Sequence, residues 1–90
     1  MRESYPGSVG IGAYALTQSG SYNVGIGYQA GYSPSVYGAY NILIGYQASV
    51  SDIGAENQVA IGKGVTCTAN NTTVIGNTDI ILDAAGDITL

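Results

Sequence analysis

There is no histidine among the 90 residues, and no phenylalanine or tryptophan. Without His the chain lacks the usual general base, the usual activator of a Ser or Cys nucleophile and the commonest metal ligand. Ser-His-Asp and Cys-His constellations are excluded within one chain type. The expectation is a protein that is not an enzyme and needs no cofactor. Cysteine occurs once, at Cys67, so no disulfide framework is available. Basic residues number two, Arg2 and Lys63, and the formal net charge is −4. That is too little positive charge to neutralise a phosphate track, so no nucleic-acid partner is expected. No apolar run is long enough to span a bilayer, which argues against membrane insertion. Charge of either sign is scarce, at 9% of residues against about 25% in an ordinary soluble domain.

What the chain does have is glycine, at 14 of 90 residues, with Ala, Val, Ile and eight tyrosines. Beta-branched residues, Tyr and Gly together point to short strands and tight turns. A monomer with so few charges and so much small apolar surface risks aggregation, which favours burial of one face in an oligomer. The strongest feature is a repeat. Ser8-Val9-Gly10-Ile11-Gly12 recurs as Asn23-Val24-Gly25-Ile26-Gly27, Asn41-Ile42-Leu43-Ile44-Gly45, Gln58-Val59-Ala60-Ile61-Gly62 and Thr72-Thr73-Val74-Ile75-Gly76. The anchoring glycines Gly12, Gly27, Gly45, Gly62 and Gly76 are spaced by 15, 18, 17 and 14 residues. A unit that short cannot bury an apolar face alone, so the units must stack as a solenoid.

Alternation of Val9 with Ile11, Val24 with Ile26, Ile42 with Ile44 and Val59 with Ile61 is the strand period, with those residues on the buried face. The residue between them is Gly10, Gly25, Leu43, Ala60 or Val74. Small or apolar residues are odd at a water-facing position and imply that both faces are covered, one by another chain. The anchoring glycine serves as the corner of each coil. A second alternating piece follows, with Ala13 and Ala15, Tyr28 and Ala30, Tyr46 and Ala48, then Val65, Cys67 and Ala69. Residues 1–78 thus read as a five-coil repeat domain. Residues 79–90 read as an exit segment of two short strands about Ala84-Ala85-Gly86; it resembles the shaft-like repeats of bacteriophage fibres, which implies that it leads to a fibre shaft or a neighbouring subunit.

The run from Val59 to Gly76 resembles the head repeat of trimeric autotransporter adhesins, and Ile26-Gly27-Tyr28-Gln29-Ala30 and Ile44-Gly45-Tyr46-Gln47-Ala48 resemble repeats of bacteriophage tail-fibre proteins. The resemblance covers residues 8 to 78. It implies an all-β, left-handed parallel β-roll that is homotrimeric. It further implies a structural and adhesive part of a fibre or spike, most naturally of a bacteriophage virion, with other fibre or virion subunits as partners and a host-surface glycan as a ligand. The alternatives are the head segment of an adhesin at a bacterial cell surface, and a capsid-decorating or cement trimer.

Three side-chain sets are candidates for chemistry. Cys67 could be a reactive thiol, but its place between Val65 and Ala69 favours a small core hydrophobe. Asp79, Asp83 and Asp87 recur every four residues, a spacing that favours a solvated acidic rim over a calcium shell. The tyrosines are the better lead. Tyr28 and Tyr46 share one slot after the corner and should stack between coils. Tyr32, Tyr37 and Tyr40 sit in the longest insert, beside Pro34, and are the candidate ligand-binding residues.

Overall fold

The computed structural model describes residues 7–16, 20–32, 36–76 and 85–89. Each repeat phrase forms a strand of three residues: β1 (Val9–Ile11), β2 (Val24–Ile26), β3 (Ile42–Ile44), β4 (Val59–Ile61) and β5 (Thr73–Ile75). The strands pair in chain order β1-β2-β3-β4-β5, all parallel, in one sheet. The chain is a short all-β solenoid of about four turns. Register follows the repeat without slippage, so Val9, Val24, Ile42, Val59 and Thr73 form one column and Ile11, Ile26, Ile44, Ile61 and Ile75 another.

The two faces of this sheet are the reverse of the sequence expectation. The middle residue points inward: Gly10, Gly25, Leu43 and Ala60 are buried and Val74 is half-buried. The Val and Ile columns point outward, with Val9 at 45%, Ile11 at 56% and Ile75 at 52% exposure. The physical reason is the width of the coil. A three-residue strand sends one side chain inward, and the interior is already occupied from the far side. A Cβ built on Gly25 would lie 2.7 Å from Leu16 Cγ, and one on Gly31 would lie 2.8 Å from Leu16 Cδ2 and 3.0 Å from Leu43 Cδ1. Two columns of branched side chains could not enter that space. The core is Leu16, Ala30, Val36, Leu43, Ala48, Val50, Ala55, Ala60, Val65 and Cys67, with Val74 packed against it.

The second alternating piece is only partly the strand expected. It contributes Ala15, Ala30, Ala48, Val65 and Cys67 to the interior, while Ala13, Tyr28, Tyr46 and Ala69 face solvent. Among the described residues its only ladder element is the isolated parallel bridge between Ser49 and Thr66. Turns take its place, because the chain must reverse within a few residues of each corner. The expected exit strands fall largely on residues outside those described, and residues 85–89 carry no strand.

A polar column runs through the interior beside the apolar one. Ser8, Asn23, Asn41 and Gln58 each precede a strand, and all four are buried. Asn23 Oδ1 accepts the Asn41 N–H at 3.0 Å, and Asn41 Oδ1 accepts the Gln58 N–H at 3.0 Å. Asn41 Nδ2 donates to Asn23 Oδ1 and to the Ala55 carbonyl at 2.9 Å. Ser8 Oγ accepts the Asn23 N–H at 3.1 Å and donates to the Gly20 carbonyl. Gln58 reaches across the coil, accepting from the Ser51 N–H and donating to Ser51 Oγ and Asn70 Oδ1. Among the described residues no buried side-chain nitrogen or oxygen lacks a partner. The ladder therefore carries no desolvation penalty from unpaired groups, and it ties each coil to the next in one register.

Candidate functional site

The corner glycines set the geometry of everything displayed beyond them. Gly27 and Gly45 have φ of +126° and +130°, a region that side chains rarely enter. They also touch: a Cβ on Gly45 would lie 2.5 Å from the Gly62 carbonyl oxygen, and one on Gly27 would lie 2.8 Å from that of Gly45. Gly12, Gly27, Gly45, Gly62 and Gly76 thus form a stacked backbone column, bridged by Gly27, Gly45, Gly62 and Gly76 N–H groups donating to Ile11, Ile26, Ile44 and Ile61 carbonyls.

Because the corners superpose, the residues after them stack. Tyr28 and Tyr46 lie parallel with ring centroids 5.5 Å apart, as expected. Tyr14 meets Tyr28 edge-on at 6.0 Å and Tyr32 at 5.7 Å. At the other end of the strands Tyr22 and Tyr40 stack at 5.5 Å and 5° between planes. Tyr32, Tyr37 and Tyr40 are all exposed but do not form one cluster. Tyr32 belongs with Tyr14 beyond the glycine corner, and Tyr40 with Tyr22 at the opposite corner. The Tyr37 N–H donates to the Ile53 carbonyl at 2.9 Å, fixing that backbone to the next coil. Pro34 lies outside the described residues.

Between the stacked tyrosines lies the outward sheet face, nine aliphatic side chains in two columns with Thr73 completing the grid. None of these positions carries a charge. Beyond the glycine corner there is a groove of about 310 Å³, lined by Gln29, Tyr32, Gln47, Ser49, Gly64 and Thr66. Gln47 Nε2 donates to Gln29 Oε1 at 2.7 Å along its wall. The sequence reading missed both this groove and the buried polar column. The second had a visible signal: every phrase opens on an uncharged polar residue, Ser, Asn, Asn, Gln or Thr.

Cys67 is buried at 1% exposure, with its thiol donating to the Val59 carbonyl at 3.1 Å. It fills the slot of a small hydrophobe. Asp87 is exposed, while Asp79 and Asp83 lie outside the described residues. Among the described residues no group of three acidic, His or Cys side chains is placed to hold a metal, and no helix is long and apolar enough to cross a membrane. No family model matches the chain, and neither a curated protein nor a solved structure matches it.

Proposed function

We propose that this chain is a structural and adhesive segment of a homotrimeric fibre or spike of a bacteriophage virion, wound as a left-handed β-roll and contacting a glycan on the host surface. The observation that carries this reading is the outward sheet face. An isolated soluble domain has no reason to place nine Val and Ile side chains in register on its surface while the same strands turn Gly10, Gly25 and Ala60 inward. Four of these side chains are 39–56% exposed and the other five less, so covering them gains at most roughly 1 kcal/mol apiece, a sum that must exceed the entropic cost of association. Three identical chains packed around one axis cover three such faces by closed symmetry, without leaving one free to propagate aggregation. Stacked coils then supply stiffness, and the exposed tyrosines are borne on a rigid scaffold. Neither task needs a catalytic group or a cofactor.

Multi-angle light scattering is expected to give a mass near three times the 9.1 kDa of one chain. A chain that remains monomeric at micromolar concentration would refute the reading.

A further inference from the structure

We infer that the groove beyond the glycine corner is a binding site for a short, uncharged saccharide. This rests on the adhesive half of the reading above and assigns its contact surface to one face of the coils, keeping only Tyr32 of the 31–40 insert. The groove holds about 310 Å³, at the small end of ligand clefts, which run from roughly 300 to 1,000 Å³. Its lining is an amide pair, two hydroxyl residues, one tyrosine ring and a glycine, with no charged side chain. That is a set suited to hydroxyl groups, which donate and accept at once. The Gln47 to Gln29 hydrogen bond uses one hydrogen of Gln47 and the oxygen of Gln29. It leaves the Gln29 amide hydrogens as donors and Gln47 Oε1 as an acceptor, one coil apart. Thr66 adds a hydroxyl, and the half-exposed Tyr32 ring offers an apolar face for the carbon side of a sugar.

The backbone fixes where these amides stand. Tyr14, Gln29, Gln47 and Gly64 occupy the same turn position in successive coils, with φ of 63°, 58°, 57° and 68°. Glycine is the unstrained choice there, and Gly64 takes it. Gln29 and Gln47 hold a left-handed conformation that costs stability, for side chains that reach surface rather than core. The turn takes a left-handed residue in every coil, and in two of them that residue is a glutamine lining the groove. No lining residue is cationic, which disfavours phosphate, sulfate and sialic acid, and the small apolar area disfavours a hydrophobic peptide.

The test uses the whole chain in its native oligomeric state on a glycan array carrying neutral, sialylated and sulfated oligosaccharides. Binding to neutral glycans is expected. It should weaken at least about tenfold in Gln47→Gly, Gln29→Gly and Thr66→Val, the size of one lost polar contact. The glycine variants suit their backbone angles, so their thermal stability and mass should match the parent; unfolding in Gln47→Gly would mean that the glutamines are structural and would overturn the inference. Preference for acidic glycans would overturn it as well. Binding lost in Tyr37→Ala or Tyr40→Ala but kept in the groove variants would leave the adhesive reading standing and move the site elsewhere. No binding to any glycan would remove both the groove and the adhesive half, while the measured mass decides the trimer separately.

Discussion

Gly45 shows how strongly one residue can be constrained by its neighbour's backbone. Its φ of +130° is closed to ordinary side chains, and a Cβ there would sit 2.5 Å from the Gly62 carbonyl oxygen. No rotamer relieves that contact, because both the Cβ and the oxygen are fixed by the main chain. Gly45→Val is expected to destabilise the fold by at least about 1–3 kcal/mol from the backbone angle alone, with displacement of the next coil added to it. Chemical denaturation of parent and variant measures the difference, and superimposable curves would rule the argument out. Asn41 is constrained in another way. It donates to Asn23 Oδ1 and Ala55 O and accepts from Gln58 N–H, so three coils meet at one amide. An apolar residue of similar size could not replace it without stranding those partners.

At the scale of an element, β3 puts its two kinds of position side by side. Leu43 is fully buried in the middle of the apolar column, and Ile44 faces outward and is half-buried. Leu43→Ala should cost about 2–5 kcal/mol, the range for a truncated core leucine, since a solenoid this narrow has little around the cavity that can collapse into it. Ile44→Lys should cost a single coil little, because the lysine stem can lie along Ile26 and Ile61 with its charge in water. In the proposed trimer the same change would bury three charges at one interface. Sedimentation should therefore show Ile44→Lys shifted to the monomer and Leu43→Ala less stable but still assembling. A trimer unaffected by Ile44→Lys would show that the outward face is not where the chains meet.

For the whole molecule, stability is close to a sum over neighbouring coils, because each coil touches only the one before and the one after. Strand contacts run only from each strand to the next in sequence. Such an array gains cooperativity from anything that holds all its coils at once, and the outward face lies across all five strands. If association covers that face, unfolding and dissociation are one event. The melting temperature should then rise with protein concentration, by roughly 5 °C per tenfold for a trimer with ordinary unfolding enthalpy per residue. A melting temperature independent of concentration would separate folding from assembly and weaken the case for an obligate trimer.

The place of the five phrase strands and of the glycine corners was legible in the residues, because each depends on local chemistry that recurs; the second strand expected after each corner was not, since turns take its place. Val-x-Ile favours a strand wherever it occurs, glycine alone enters the corner conformation, and a unit of 14 to 18 residues must stack. Which strand face turns inward was not legible. Alternation says that the two faces differ, yet here both are apolar, and the choice rests on how much volume Leu16, Val36 and Leu43 already claim from across the coil. The same is true of the sites. Tyr32, Tyr37 and Tyr40 are neighbours in the chain, but the solenoid sends Tyr32 to Tyr14 and Tyr40 to Tyr22, because contacts between coils join residues 14 to 18 positions apart. Gln29 and Gln47 meet for that reason too. A groove built from one residue in each of several coils exists only once their register is set, and that register is a property of the stacked backbone.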